Sequence, residues 1–373
     1  MRIAILAGEE SGDGLGAALM SAMAATDQIE WFGVGGDAMA AAGLRSIFAQ
    51  DEISVMGLDA IIRRLPQLLR RIAQAAREVV AFSPDALIII DAPEFTHRVA
   101  KRVRKALPQV PIINYVSPTV WAWRPGRARA MRPYVDHVLC LFPFEPEVHQ
   151  RLGGPPASYV GHPLFETERR PEAPVGGHLL ILPGSRRGEI SRLLPVFGET
   201  LAQLDYTGSI DLLAVPRLRT EIEAAVTGWD RPVDILSGEG AKELAFGRAF
   251  AALAASGTIT FELAARRIPM SVAYKLDFTY RQGKRLHPGF PIVTSKAMVL
   301  ANIILGRNLV PEFLEEAANP AELAAAMSPL LQAGSAERAI QAEAFEEVSM
   351  AMAVARSPAE QAAEVVRQVL QGQ

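Results

Sequence analysis

Uniformly apolar segments that alternate with longer helical ones constrain the fold of this chain most. "RIAILAG", "ALIIIDAP" and "PIINYVSP" each begin with an apolar run, and stretches rich in alanine and arginine precede the last two. A strand that is apolar at every position is buried on both faces, as in a parallel sheet covered by helices on each side. The pattern therefore predicts an α/β fold built on parallel sheets.

The same alternation occurs twice. Residues 153–178 are dense in glycine and proline, and "LLILPGS", "SIDLLAVP" and "RAFAALAASGT" then resume the strand pattern. Because 373 residues exceed one ordinary hydrophobic core, we predict domains at 1–165 and 166–330. Two such Rossmann-like halves are the outline of the glycosyltransferase-B architecture, with ligands at the carboxyl ends of strands in a cleft between the halves. A helical tail is predicted at 331–373. The sequence leaves open whether this tail packs on the first domain, exchanges between subunits or stays apart, and it leaves the oligomeric state open.

Composition and charge exclude several classes of protein. The formal net charge of −3 argues against a dedicated nucleic-acid-binding protein, which is usually basic. Cys140 is the only cysteine, so neither an internal disulfide nor a zinc site of several thiolates is available, and the five histidines other than His162 lack metal-ligand spacing. No apolar stretch is long enough to cross a bilayer. We expect a soluble, cytoplasmic protein without a metal site, for which a peripheral membrane contact remains open.

Two loops of small residues in the second half are typical of a nucleotide site. In "LPGSRRGEI", Gly184 and Ser185 lie between a strand and a helix, where free N–H groups favour an anion, and Arg186 adds a planar donor for phosphate. The alternative is a capped helix with a solvated arginine. "AASGTITFELA" repeats the arrangement and carries a carboxylate that could accept the hydroxyls of a ribose. The alternative is an ordinary helix cap followed by a glutamate in the first turn. The candidate residues of this segment are Ser256, Gly257, Thr258 and Glu262. The two loops together indicate a nucleoside diphosphate.

In the first half, Asp91 ends a fully apolar strand. Burying a carboxylate there is costly unless it has a bonding partner or a catalytic role. Asp91 is therefore either a general base or the cap of the next turn. The glycine-rich loop "AGEESGDGLG" lacks the spacing of a dinucleotide fingerprint and is acidic, so we predict a cleft-facing turn rather than a cofactor site. His162 in "YVGHP" is either a cleft-lining donor or a structural loop histidine.

A basic amphipathic segment spans residues 53–80. Leucine and isoleucine recur at intervals of three and four residues with arginines between them. Such a segment lies on an anionic membrane surface or packs on a core with a charged outer face. The residues predicted to face a membrane are Ile61, Ile62, Arg63, Arg64, Leu65, Leu68 and Leu69.

A collinear series of segments resembles the lipid-A-disaccharide synthase family. The series covers the chain from its start to about residue 316 and comprises "AGEESGDGLGA", "GVGGDAMAAAG", "SVMGL", "IDAPEF", "YVSPTVWAWRPGR", "LFPFEPEV", "VGHPL", "LPGSRRGEI", "ASGTITFE" and "ANIILGRNLVPEFLEE". Some segments are weak alone, but "VSPTVWAW" and the shared order are highly specific. The chain departs from the family pattern at Glu94 and Thr96, where Asp-Phe-Asn is usual, and at Glu315, where glutamine is usual.

The resemblance implies a metal-free, cofactor-free glycosyltransferase-B enzyme of lipid A and lipopolysaccharide biosynthesis in Gram-negative bacteria. It implies transfer of 2,3-diacylglucosamine from UDP to the 6-hydroxyl of 2,3-diacylglucosamine 1-phosphate, with inversion to a β-1,6 disaccharide 1-phosphate and release of UDP. Inversion needs a base on the acceptor and charge stabilisation on the leaving diphosphate. Asp91 matches the base, Arg186 an essential arginine and Asn302 an asparagine of the donor half.

The resemblance also assigns binding residues. The nucleotide-sugar set is Gly184, Ser185, Arg186, Ser256, Gly257, Thr258, Glu262, Asn302 and Glu312. The acceptor set is Glu10, Ser11, Asp91, Ser117, Trp121, Arg124 and His162. We expect Trp121 and Trp123 to pack their loop, and Arg124 or Arg127 to meet the acceptor phosphate.

Acylated substrates favour the membrane interpretation of residues 53–80. An enzyme of this kind must reach lipids in a bilayer, so the resemblance implies a peripheral protein on the cytoplasmic face of the inner membrane. Two alternatives remain. One is another UDP-sugar enzyme of the same fold, a soluble glycosyltransferase or a 2-epimerase, and the other is a non-catalytic nucleotide-sugar or lipid-binding protein.

Overall fold

A computed structural model of the chain describes residues 1–53, 58–166, 176–275 and 297–372, with only the backbone described for 58–64. Contacts divide it into two compact units. The first unit comprises Met1–Glu166 and Met352–Gln373, and the second comprises Thr167–Ala351.

The first unit contains a parallel sheet of seven strands within the described residues. The strands are β1 (Arg2–Ala7), β2 (Glu30–Val34), β3 (Arg45–Ser46), β4 (Ala86–Ile90), β5 (Ile112–Tyr115), β6 (His137–Cys140) and β7 (Ala157–Tyr159). Their spatial order is β3-β2-β1-β4-β5-β6-β7. Every residue of β4 is buried, as its uniformly apolar sequence predicts.

Helices cover both faces of this sheet. They are α1 (Glu10–Ala24), α2 (Asp37–Ala41), α3 (Leu58–Phe82), α4 (Pro93–Ala106), α5 (Gly126–Met131) and α6 (Glu145–Arg151), with short 3-10 helices at Gln50–Glu52 and Pro163–Phe165. Ala4 and Leu6 of β1 pack on the face covered by α3 and α4. Ile3 and Ile5 point to the opposite face, which α1 covers.

The second unit has six parallel strands within the described residues, in the order β10-β9-β8-β11-β12-β13. They are β8 (His178–Leu182), β9 (Ile210–Leu213), β10 (Asp234–Leu236), β11 (Ala249–Ala255), β12 (Met270–Tyr274) and β13 (Glu312–Leu314). The helices are α7 (Arg187–Gln203), α8 (Arg219–Val226), α9 (Ala241–Arg248), α10 (Thr258–Ala265), α11 (Leu300–Leu305), α12 (Pro320–Leu330) and α13 (Ala336–Ala351), with 3-10 helices at Pro216–Leu218 and Glu315–Ala317.

The last helix, α14 (Pro358–Gln371), belongs to the first unit. Its Ala362 and Val366 join the core on the α1 side, and Arg367 donates to Asp27 at 3.0 Å. The Tyr159 hydroxyl holds the returning chain by donating to the Met352 carbonyl at 2.7 Å. The segment expected as one helical tail, 331–373, is thus divided: α13 lies in the second unit and α14 packs on the first.

Each sheet has one point where the strand order reverses. In the first sheet this point lies between β1 and β4, and in the second between β8 and β11. Loops that follow the two neighbouring strands diverge there and leave a crevice at the carboxyl edge, where open α/β sheets bind ligands. Asp91 follows β4, whereas Gly184 and Ser256 follow β8 and β11. The fold therefore brings sequence-predicted residues to both reversal points.

Candidate functional site

A pocket of about 540 Å³ lies at the carboxyl edge of the second sheet. Both small-residue loops line it: Gly184, Ser185 and Arg186 after β8, and Ser256, Gly257 and Thr258 after β11. Leu213 at the end of β9 and the following residues 214–216 form another wall. Because α7 and α10 both begin at this pocket, their free N–H groups favour an anion there.

The loop after β8 is shaped around Glu189. Gly184 has a φ of +103°, and a Cβ atom on it would stand 2.9 Å from Oε2 of Glu189, so the position requires glycine. The Glu189 carboxylate accepts the Arg186 N–H at 3.3 Å. The Arg186 side chain is 74% exposed, with its nearest carboxylate oxygen, on Glu189, 3.4 Å away. This loop can present a guanidinium to a phosphate.

Glu262 does not line the pocket, although we expected it to meet a ribose. Its carboxylate pairs with Nζ of Lys242 at 2.8 Å, and it is Lys242 that lines the pocket. Lys242 was not among the residues predicted from the sequence. Its signal is a lysine in the first turn of α9, in the segment "GEGAKEL" that follows β10 at the same edge. Lys242 gives the pocket a second cation beside Arg186.

Asn302 and Glu312 lie together but do not line this pocket. Asn302 is 2% exposed, and its oxygen accepts the N–H groups of Leu309 and Val310 at 2.9 Å. Its Nδ2 donates to Oε1 of Glu312 at 2.6 Å and to the Val310 carbonyl at 2.9 Å. Glu312 also accepts the Met298 N–H at 2.7 Å, close to the start of α11. The buried Asn302 amide can therefore support the 308–312 segment but cannot contact a ligand in this conformation.

Asp91 sits in an unusual turn in the first unit. Asp91 and Ala92 both have left-handed backbone angles, with φ of 45° and 42°. Such angles cost about 1–3 kcal/mol for a residue other than glycine and cluster at functional sites. The Thr96 hydroxyl donates to the carbonyls of Asp91 at 2.6 Å and Ala92 at 3.1 Å. The turn is thus held by a side chain five residues away.

Two carboxyl groups, those of Glu9 and Asp91, interact electrostatically at the reversal point of the first sheet. Burial raises the pKa of Asp91 above its ordinary value, and one backbone hydrogen bond opposes this rise. Burial and the charge of Asp91 together raise the pKa of Glu9, which follows β1. Glu10 and Ser11 are exposed at the start of α1. Among the described residues, no third carboxylate, histidine or cysteine joins a group that could hold a metal ion.

Two buried residues of α6, Glu145 and His149, hold the segment "VSPTVWAW" by hydrogen bonds. The Ser117 hydroxyl lies 2.9 Å from Nε2 of His149, and both are buried. Glu145 accepts the Trp121 indole N–H at 3.2 Å and the Phe142 N–H at 3.1 Å. Burial raises the pKa of Glu145 to about 7. Ser117 is thus a buried support of the loop rather than a residue lining a surface, which differs from our expectation.

Further along this loop, the tryptophans pack as expected. The Trp121 ring meets Phe144 edge-on with centroids 5.5 Å apart, and Trp123 lies beneath the Arg124 guanidinium, 5.0 Å from its ring centroid. Arg124 is exposed. Arg127 instead pairs with Glu94 at 2.8 Å, so Arg124 is the more accessible of the two candidates for an acceptor phosphate.

His162 has the features of a structural loop histidine. Its Nδ1 accepts the Leu164 N–H at 3.2 Å, and its ring stacks on Phe142 with centroids 5.9 Å apart. Burial lowers the pKa of His162 to about 4, so the ring is neutral near pH 7. Of the two interpretations left open by the sequence, these contacts favour the structural one.

Asp13 links two of the sequence motifs. It was expected to face the cleft with the other acidic residues of its loop, but it is buried and accepts three backbone N–H groups at the start of α2. The donors are Gly36 at 2.7 Å, Ala38 at 2.9 Å and Met39 at 3.1 Å. A carboxylate at a helix N-terminus satisfies free donors and complements the helix dipole. Asp13 therefore has a structural role: it joins the segments "SGDG" and "GVGGDAM" by hydrogen bonds.

Helix α3 carries an exposed apolar and basic face. Leu65 is 41% and Leu69 42% exposed, and the exposed Arg70 and Arg77 follow on the same helix. Leu68 packs against the core, which differs from its predicted outward position. The side chains of Ile61, Ile62, Arg63 and Arg64 lie outside the described residues. None of the helices in the described part of the chain could span a membrane.

Comparison with known proteins places the chain in a family. A family model described as lipid-A-disaccharide synthetase matches residues 3–366. The chain belongs to this family. A lipid-A-disaccharide synthase of Rhodopseudomonas palustris (strain HaA2) is 48% identical over 99% of this chain and 96% of the relative, and one of Nitrobacter hamburgensis is 46% identical with the same coverage. The family predicted from the collinear motifs is confirmed.

Solved structures define the fold class of this family member. UDP-GlcNAc 2-epimerase from Neisseria meningitidis, bound to UDP-GlcNAc, superposes with a TM-score of 0.63, 10% identity and full coverage of both chains. MurG from Acinetobacter baumannii gives a TM-score of 0.54 and 15% identity, covering 100% of this chain and 99% of that one. At such identities the likeness shows the fold alone. The fold is the predicted glycosyltransferase-B class.

Proposed function

We propose that this chain transfers 2,3-diacylglucosamine from UDP to the 6-hydroxyl of 2,3-diacylglucosamine 1-phosphate, with inversion, to give the β-1,6 disaccharide 1-phosphate and UDP. Family membership over residues 3–366 makes it a lipid A disaccharide-forming glycosyltransferase. The observation that carries the finer assignment is the presence of a carboxylate and a cationic nucleotide pocket at the two sheet-reversal points.

The UDP moiety is assigned to the pocket of the second unit. Two helix N-termini and two cations, Arg186 and Lys242, converge there, which suits a diphosphate. As the glycosidic bond to the diphosphate breaks, negative charge develops on the leaving oxygen. Donors fixed in advance stabilise that charge without reorganising, and this is how the pocket accelerates departure of UDP.

Asp91 is assigned as the general base. As the acceptor 6-oxygen attacks the anomeric carbon, its proton passes to the Asp91 carboxylate and UDP leaves from the opposite face, so an α donor gives a β product. A base works best when its pKa approaches the operating pH, and burial raises the pKa of Asp91 in that direction. Asn302 is assigned an indirect role: it holds Glu312 and the 308–312 segment of the donor half.

The exposed face of α3 is assigned to the membrane. Leu65 and Leu69 would enter the apolar boundary while Arg70 and Arg77 meet anionic headgroups. This contact supports a peripheral location on the cytoplasmic face of the inner membrane, where acylated substrates are present.

The test is turnover of UDP-2,3-diacylglucosamine with 2,3-diacylglucosamine 1-phosphate in detergent micelles. Wild type is compared with Asp91→Ala and Asp91→Asn, and with Asp85→Asn as matched control. Asp85 lies at the opposite end of β4, where it accepts the Arg2 N–H at 2.7 Å. Disaccharide 1-phosphate from wild type and Asp85→Asn, with a loss on the order of 1,000-fold or more in both Asp91 variants, is expected from loss of the base.

Other outcomes reject parts of the assignment. A folded wild type that forms no disaccharide but converts unacylated UDP-N-acetylglucosamine would favour a soluble UDP-sugar enzyme. Full activity in the Asp91 variants would keep the reaction and exclude Asp91 as its base.

A further inference from the structure

The turn that presents Asp91 needs an external support. Asp91 and Ala92 are consecutive residues in the left-handed region, which alanine visits only under constraint. The first helical residue, Pro93, donates no hydrogen bond to the turn because proline has no N–H group. Whatever fixes these two peptide groups also fixes the direction of the Asp91 side chain.

Thr96 supplies that support. Its side chain is fully buried, and its hydroxyl reaches the Asp91 carbonyl at 2.6 Å and the Ala92 carbonyl at 3.1 Å. The shorter contact spans five residues, beyond the four-residue reach common for threonine within a helix. The hydroxyl therefore ties the peptide groups on both sides of the left-handed step to the first turn of α4.

Other contacts confine the turn without replacing this hydroxyl. The Asp91 N–H donates to the Tyr115 carbonyl at 3.3 Å, which fixes the entry into the turn from β4. The Ala92 carbonyl accepts the N–H groups of Phe95 and Thr96, at 2.9 and 3.0 Å, as α4 begins. The Asp91 carbonyl, by contrast, accepts its hydrogen bond from the Thr96 hydroxyl.

We infer that Thr96 is a positioning residue for the reaction: its hydroxyl sets the orientation of the Asp91 carboxylate toward the acceptor hydroxyl. The inference rests on the proposed role of Asp91 as base. Thr96 itself is fully buried, so its side chain is not accessible to a substrate in this conformation. Its effect on the rate comes through the geometry of Asp91, and rates of oriented reactions fall steeply when a catalytic group is displaced by about 1 Å.

The test replaces the hydroxyl while keeping the volume. Thr96→Val removes the donor, Thr96→Ser keeps it, and Thr200→Val is the matched control. Thr200 is equally buried, in α7 of the second unit, and its hydroxyl donates to the Val196 carbonyl at 2.7 Å. Both valine variants thus lose a buried hydroxyl that donates to backbone carbonyls, but only Thr96→Val loses it beside Asp91.

We expect Thr96→Val to lower kcat on the order of 100-fold with the KM of both substrates unchanged, because positioning of the base acts on the chemical step. Thr96→Ser should restore most of kcat, and Thr200→Val should keep the wild-type kcat. UDP binding, measured by calorimetry, should be unchanged in the Thr96 variants, because the nucleotide pocket lies in the second unit and Thr96 in the first.

Three results would overturn the inference. The first is a wild-type kcat in Thr96→Val. The second is an equal loss of kcat in Thr96→Val and Thr200→Val, which indicates a general stability effect. The third is a raised KM at constant kcat. If Thr96→Val does not fold, Thr96→Cys decides the matter: this weak donor of similar size should give an intermediate kcat, and a wild-type kcat refutes the inference. Absence of turnover in wild type would instead reject the proposed function.

Discussion

Gly8 approaches Ala92 so closely that a Cβ atom on Gly8 would stand 2.4 Å from the Ala92 Cβ. The first residue follows β1 and the second follows β4, so this contact joins the two loops of the sheet-reversal point. Since Ala92 is next to Asp91, the absence of a side chain at Gly8 permits the turn that presents the proposed base.

Gly8→Ala is expected to lower kcat on the order of 100-fold, because the added methyl must displace the Asp91–Ala92 turn by a sizeable fraction of an ångström. Gly14→Ala is the matched control: Gly14 lies in α1, and apart from its chain neighbours and the backbone of its own helix no atom lies within 4 Å of its Cβ position. It should keep full activity and gain about 0.5–1 kcal/mol of stability. Steady-state kinetics and thermal unfolding check both, and equal activity of the two variants would contradict the proposed constraint.

The pH dependence of kcat should report the environment of Asp91. Burial raises its pKa, and a base must be unprotonated, so kcat should fall with decreasing pH at values above the ordinary aspartate pKa of about 3.9. Charge repulsion between two carboxylates is mutual, so Glu9→Gln should move this acid limb to lower pH. A limb at or below the ordinary value in wild type would argue against Asp91 as the base.

Glu145→Gln tests the buried carboxyl beneath Trp121. The folded pKa of about 7, against an ordinary value of 4.5, means that the fold favours the protonated form. The stability contributed by that proton is complete below about pH 4.5 and is lost as pH rises through 7, a change of roughly 3 kcal/mol. The glutamine variant does not titrate, so its stability relative to wild type should increase between pH 5 and pH 8.

Urea unfolding at the two pH values measures this difference. Glu147→Gln is the control, because Glu147 lies on the same helix but is exposed. Parallel pH dependence of wild type and Glu145→Gln would show that Glu145 is ionised at little cost.

Asn302→Ala should destabilise the second unit by about 3 kcal/mol or more, because it leaves the N–H groups of Leu309 and Val310 and the Val310 carbonyl without their amide partner. Asn319→Ala removes a helix cap that accepts the Glu322 N–H and donates to the Glu316 carbonyl, and should cost about 1 kcal/mol. Chemical unfolding compares them. Wild-type stability in Asn302→Ala, together with lost activity, would point to direct substrate contact.

Leu65→Glu combined with Leu69→Glu should abolish sedimentation with anionic phospholipid vesicles, because both side chains are exposed on the proposed membrane face. Activity in detergent micelles should remain. Ile340→Glu, a change at a residue 50% exposed on α13, is the control and should leave vesicle binding intact. Equal vesicle binding by all three proteins would place the membrane contact elsewhere.

Sequence patterns were sufficient to predict the sheets and the position of the loops that follow their strands. The uniformly apolar run at Ala86–Ile90 predicted a strand buried on both faces, and every residue of β4 is buried. Gly184 and Ser256 followed predicted strands, and both line one pocket. These predictions succeed because burial periodicity and helix-start chemistry are local properties of the chain.

Contacts between side chains of distant segments could not be predicted from the sequence. The loop of Asp13 was expected to face the cleft, yet Asp13 accepts N–H groups at the start of α2. Glu262 pairs with Lys242 rather than lining the pocket. Ser117 and Asn302 are buried supports of their loops. A polar residue in a motif can serve a ligand or the fold, and only its three-dimensional neighbours distinguish the two.

The sequence by itself determined the α/β class, the two-fold repetition of the strand pattern and the family, because these depend on local periodicity and on motif order. The tertiary structure decided that α14 returns to the first unit and that Gly8 and Thr96 shape the turn at Asp91. These relationships arise from strand order and close packing, which join segments tens to hundreds of residues apart and leave no periodic signal in either segment alone.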